Sequence, residues 1–131
     1  MELLLTMSES DFSGLTFDWD DLTIADDKVQ KALHELITLF GNDRVWYRVS
    51  SSGNGLHIMI ADIILDEVSG ASILQPIEMD SEKQIEYRKS FELECRGRLI
   101  SDSVRKTQGF RTSRIFRTKN GKKVSKWRRF K

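Results

Sequence analysis

Asp18 and Asp20 stand two residues apart in Leu15-Thr16-Phe17-Asp18-Trp19-Asp20-Asp21, a run that alternates apolar and polar side chains. In an extended strand this period of two sends Leu15, Phe17 and Trp19 to one face and Thr16, Asp18 and Asp20 to the other. Two carboxylates side by side repel each other unless a cation or a base neutralises them, so the pair has the spacing of a divalent-cation site. Asp-x-Asp also occurs in ordinary turns, and the pair needs company before it means more. It finds some at Ser52-Gly53-Asn54-Gly55-Leu56-His57, where a serine- and glycine-rich turn runs straight into a histidine. Asn54-Gly55 tolerates the positive φ of a tight hairpin turn, and Gly53, lacking a Cβ, lets backbone N–H groups come close to an anion. His57 is then either a ligand beside that turn or a satisfied strand histidine. A third acid, Asp102, follows the apolar pair Leu99-Ile100 and the intervening Ser101, with Arg105 three residues further on.

These residues need elements to hold them. Val45, Tyr47 and Val49 alternate before the glycine turn, and Leu56, Ile58 and Ile60 after it, which predicts a hairpin over 45–61 with His57 facing away from Leu56 and Ile58. Val29, Leu33, Leu36, Ile37 and Phe40 recur at helical spacing after Asp26-Asp27 and stop at Gly41-Asn42, which predicts an amphipathic helix with His34 on its surface. Residues 62–76 read as an irregular connection with one short element at 71–74, closed by Pro76. A second helix is expected from Ser81, as N-cap, to about Cys95. Ser113–Thr118 reads as a strand, and Asn120-Gly121 turns it into Lys122–Trp127, a closing hairpin. The fold class expected is α+β, a small mainly antiparallel sheet with two helices, in one domain over 1–131 with 1–14 as a loosely held entry segment.

The net charge of +1 conceals a division. Residues 1–95 carry 19 acids and 7 bases, whereas residues 96–131 carry 14 bases and a single acid, Asp102. That basic C-terminal part is interleaved with Phe110, Phe116, Trp127 and Phe130, a composition suited to a polyanion, with Arg111, Arg114, Arg117, Lys119, Lys122, Lys123 and Trp127 as candidate nucleic-acid contacts. A basic solvated tail has the same composition. With 39% hydrophobic and 31% charged residues and no apolar run near 20 residues, membrane insertion is not expected. One cysteine, Cys95, and an opening Met1-Glu-Leu-Leu-Leu too short and of the wrong charge to read as a signal peptide lead us to expect a reducing, cytoplasmic setting, and one cysteine with two histidines excludes a four-ligand structural zinc site of Cys/His type.

The order Asp18-x-Asp20, then Ser52-Gly53-Asn54-Gly55-Leu56-His57 entering a strand, then apolar residues leading to Asp102, resembles the archaeo-eukaryotic primase (primase-polymerase) superfamily. Its members carry a hydrophobic-Asp-hydrophobic-Asp motif, a Ser-Gly-x-Gly-x-His motif and a third hydrophobic-Asp motif. The resemblance spans roughly residues 15–127, and its middle motif is the most specific. It implies a sheet related to the RNA-recognition-motif topology on which three acids meet the histidine. Asp18, Asp20 and Asp102 would be the catalytic ligands of two Mg2+ or Mn2+ ions. Ser52, Gly53, Asn54 and His57 would hold nucleotide phosphates, with Arg105 as a further contact. The implied partners are nucleoside triphosphates, a DNA or RNA template-primer and an accessory replication subunit, in a compact replication protein of a virus or mobile element. A non-catalytic nucleic-acid-binding module on a related sheet, and a metal-dependent nuclease, are the alternatives that the same residues leave open.

Overall fold

A computed structural model describes residues 4–5, 14–50, 53–65, 67–68, 70–109, 118–119, 122–123 and 127–130, with the backbone alone for 4–5, 118–119 and 122–123. The elements run β1 (Leu4–Leu5), β2 (Thr16–Asp20), α1 (Asp27–Phe40), β3 (Val45–Val49), β4 (Gly55–Leu65), β5 (Ser72–Pro76), α2 (Ser81–Lys89), α3 (Arg96–Thr107), β6 (Thr118–Lys119), β7 (Lys122–Lys123) and β8 (Trp127–Arg129). The α+β class and the antiparallel sheet agree with the sequence. There are three helices among the described residues, where two were expected.

The main sheet runs β1-β8-β3-β4-β2, every neighbour antiparallel. β4 is long enough to serve twice, its first half between β2 and β3 and its second half, Ala61–Leu65, against β5. Ile60 N–H donates to the Leu15 carbonyl while the Ile60 carbonyl accepts from Ile77 N–H, so β2 and β5 lie end to end along one side of β4. β1 also comes beside β5, which curls the sheet. One face buries Leu15, Phe17 and Trp19 of the β2 segment with Leu56, Ile58, Ile60 and Val45 against Val29, Ala32, Leu33 and Leu36 of α1. The opposite face carries a second apolar cluster, Trp46, Met59, Ala61, Leu74 and Trp127. Beyond that cluster the same face presents Thr16, Asp18, Asp20, Arg48 and His57, because the strand period of two leaves them no other side.

The local signals explain the helices. Asp26 caps α1 by accepting from Lys28 N–H at 2.9 Å, and Gly41, at φ 107, returns its N–H to the Ile37 carbonyl. The helix expected over 81–95 ends instead at Lys89, with Asp80 and not Ser81 as its N-cap. Ser90 tightens its end by donating N–H to the Glu86 and Tyr87 carbonyls, and the chain then turns so that Phe91 meets Phe17 edge-on at 5.2 Å. A new helix, α3, starts at Arg96. The short element expected at 71–74 is the strand β5, and β4 runs four residues past the hairpin expected over 45–61. The pairing Thr118↔Lys123 and Lys119↔Lys122 agrees with a closing hairpin, while Ser113–Phe116 and Asn120–Gly121 lie outside the described residues.

The glycine turn works differently from expectation. Gly53, at φ 79, is the left-handed residue, and its N–H donates to the Ser50 carbonyl at 2.9 Å, closing the turn. Gly55 has ordinary φ but lies so close to β2 that a Cβ there would stand 2.8 Å from the Trp19 carbonyl oxygen. Its value is close approach of two backbones.

Candidate cation and phosphate site

Register assembles the site. Asp18 of β2 pairs with His57 of β4, and His57 pairs with Arg48 of β3, so three side chains stand abreast on the polar face. His57 Nε2 is 3.6 Å from Asp18 Oδ1, and Arg48 Nε donates to His57 Nδ1 at 3.1 Å. Arg48 is only 2% exposed, and its guanidinium lies over the Trp127 ring, 4.5 Å from the centroid. Desolvation by that burial pulls it down to about 10, still charged at neutral pH, with the indole face and the imidazole replacing part of its hydration.

β2 is an edge strand, whose outward N–H and C=O groups need partners. The segment between α2 and α3 supplies them: Glu94 Oε1 accepts from Asp18 N–H at 2.6 Å, and Cys95 N–H donates to the Asp18 carbonyl at 2.8 Å. Glu94 is in turn hydrogen-bonded by the fully buried Arg88, whose Nη1 also donates to Asp102 Oδ2 at 2.6 Å. Arg98 reaches down from α3, its Nη2 donating to Thr16 Oγ1 at 2.9 Å and its Nη1 lying 3.8 Å from Glu94 Oε2. Burial pushes the Glu94 carboxyl up, against the pull of Arg88 and Arg98, and burial draws the Arg98 guanidinium down, helped by Arg88 and opposed by Glu94, Asp18 and Asp102.

This docking also delivers Cys95. Ligand atoms of Asp18, Asp20 and Cys95 all lie within 4.8 Å of one another, a group able to hold a cation. Burial raises the Cys95 thiol, and the carboxylates of Asp20 and Asp18 raise it further. Sequence reasoning left Cys95 without a site role, because the signal that brings it here is a pairing across 76 residues, from Glu94 to Asp18, with no local pattern. Among the described residues, Asp102 is not part of that group. Asp102, expected to join Asp18 and Asp20, lies on α3, one carboxylate oxygen bonded by Arg88, with Arg105 Nε 4.0 Å from the other. Arg105 accordingly keeps company with Asp102.

No family model, curated protein or solved structure matches the chain. The remaining candidates are placed by geometry alone. Asn54 is exposed at the turn beside Gly53. Ser52, Arg111, Arg114 and Arg117 lie outside the described residues, and Lys119, Lys122 and Lys123 have their backbones in the β6–β7 pair. Trp127, expected as a nucleic-acid contact, is 1% exposed with Arg48 over its ring and packs in the second apolar cluster. His34 is exposed, as expected, with its ring edge-on to Phe130 at 5.2 Å. No helix among the described residues is long and apolar enough to cross a membrane.

Proposed function

We propose that the chain is a metal-dependent nucleotidyltransferase of the primase-polymerase type, built on a sheet related to the RNA-recognition motif, that extends or primes a nucleic-acid strand. The observation that carries this reading is the pairing of Asp18 with His57 on one sheet face, 3.6 Å apart, with Asp20 on the same face. Oxygen ligands from two carboxylates suit Mg2+ or Mn2+, which are commonly bound by one or two carboxylates together with substrate phosphates. The nearby Cys95 thiol tilts the choice towards Mn2+, the softer of the two. A cation bound there would neutralise the triphosphate and stabilise charge on the leaving pyrophosphate.

The protein's own groups have defined parts. Asp18 and Asp20 hold the cation, with Asp18 fixed at both backbone ends by Glu94 and Cys95. His57 offers its Nε2 edge to a phosphate oxygen, and Arg98 and Arg48 add positive charge to the same face. Template and primer would follow the basic residues 96–131, whose lysines and arginines neutralise backbone phosphates.

The test is primer extension: protein, Mn2+, a primed template and labelled deoxynucleotides. Extension by the wild type and its loss in Asp18→Asn and His57→Ala is the expected result. Template binding that survives both substitutions, with no extension under Mn2+ or Mg2+, would leave a binding module, and primer shortening in place of growth would make the protein a nuclease.

A further inference from the structure

We propose that Arg48 is a positioning residue that locks His57 in the tautomer carrying its proton on Nε2, so that the histidine meets this face only as a hydrogen-bond donor. The inference rests on the proposed function for the phosphate that His57 would meet, but the tautomer itself does not.

A guanidinium has donors and no acceptor, so the nitrogen it approaches must offer a lone pair. Arg48 Nε lies 3.1 Å from His57 Nδ1, which makes Nδ1 the acceptor and leaves the proton of a neutral imidazole on Nε2. On the other side of the ring, Nε2 faces Asp18 Oδ1 at 3.6 Å, and an ionised carboxylate only accepts. Both neighbours therefore demand the same tautomer.

The lock is rigid because Arg48 has little freedom to leave. Its side chain is buried, its guanidinium carbon lies over the Trp127 ring, 4.5 Å from the centroid, and Trp127 is itself 1% exposed on β8. The hairpin register sets Arg48 directly opposite His57, and Ser50 N–H to the Gly55 carbonyl at 2.8 Å fixes that register. Lysine cannot substitute, because an ammonium lacks the planar fork that stacks on one ring while donating to another. With Nδ1 occupied and Nε2 protonated, His57 has no lone pair to take a proton from an attacking hydroxyl. Its chemistry is donation to a phosphate oxygen, and any base in the reaction lies elsewhere.

The test is the nitrogen-15 spectrum of the imidazoles in the full chain, at a pH where they are neutral. His57 should show an unprotonated Nδ1 and a protonated Nε2, with exposed His34 giving averaged values as the internal control. The reverse pattern, or averaging at His57, overturns the proposal. Because Asp18 favours the same tautomer from the other side, Arg48→Lys and Arg48→Met should narrow the split at His57 and leave His34 unchanged, whereas a split as wide as the wild type's in either folded variant also overturns it. If the wild type extends primers, Arg48→Lys should raise KM for the nucleotide about tenfold with a smaller effect on kcat, the size of one charge-assisted hydrogen bond. A fall in kcat with unchanged KM would contradict a positioning role. The spectrum reads the tautomer whether or not the protein polymerises.

Discussion

Arg88 is the residue whose removal tests most severely how the site is held. It is fully buried, it joins Glu94 to Asp102, and Glu94 in turn holds the Asp18 backbone. Arg88→Met keeps a long apolar stem but strands two carboxylates in a dry setting. Breaking a buried pair from one side costs about 3–5 kcal/mol, and because Glu94 retains Arg98 and the Asp18 N–H, the lower end applies here, about 3 kcal/mol. At roughly 4 °C of Tm per kcal/mol for a chain of this length, the melting temperature should fall by about 12 °C. Thermal unfolding followed by circular dichroism and calorimetry measures this directly. The triple variant Arg88→Met with Glu94→Gln and Asp102→Asn removes every stranded charge while keeping an acceptor for Asp18, and should recover more than half of the loss. A single variant that melts within about 4 °C of the wild type, a cost of about 1 kcal/mol, would refute the claim that this ion pair carries the α2–α3 docking.

Glu94 also sets a pH dependence. Burial raises its carboxyl, so the folded state keeps that proton where the unfolded chain has released it. Its contribution to stability is then fullest below the ordinary value of 4.5 and is lost as pH rises through the folded value. Glu94→Gln cannot titrate and should show a shallower decline in stability with rising pH in denaturant melts; identical slopes would contradict the assignment. Gly55→Ala drives a methyl group to 2.8 Å from the Trp19 carbonyl and 3.3 Å from Asp20 Cα, and should cost roughly 1–3 kcal/mol. Gly97→Ala, in open space on α3, should gain roughly 0.5–1 kcal/mol, and chemical denaturation compares the two. Asp102→Asn should lower Tm yet leave Mn2+ affinity by calorimetry within about threefold of the wild type, a change under about 0.7 kcal/mol. A larger loss would make Asp102 a ligand of the cation.

The alternating runs carried much of this architecture in plain view. Leu15-Phe17-Trp19 and Leu56-Ile58-Ile60 announce both the strands and the face each residue takes, and Asp26 with Gly41 brackets α1 closely. Asp18 and Asp20 share a face as their spacing implies, and His57 lies on that same face. What the sequence could not display are the non-local pairings. The break after Lys89 has no strong local stop signal, because Ser90 and Phe91 are acceptable in a helix; what ends it is the need to place Phe91 in the core and Glu94 at the edge of β2. Cys95 reaches Asp18 and Asp20, and Asp102 meets Arg88, through that same docking. Trp127 reads as a nucleic-acid contact in a basic run, and only the insertion of β8 between β1 and β3 buries it.

The central claim is that Asp18 and Asp20 hold a divalent cation beside His57. Paramagnetic broadening by substoichiometric Mn2+, read across the nitrogen-15 spectrum of the full chain with a nucleoside triphosphate present, addresses it directly. Signals of residues 18–20, 57 and 95 should vanish first in the wild type and survive in Asp18→Asn. Broadening centred on α3 around Asp102, with β2 and His57 left sharp, would contradict the account.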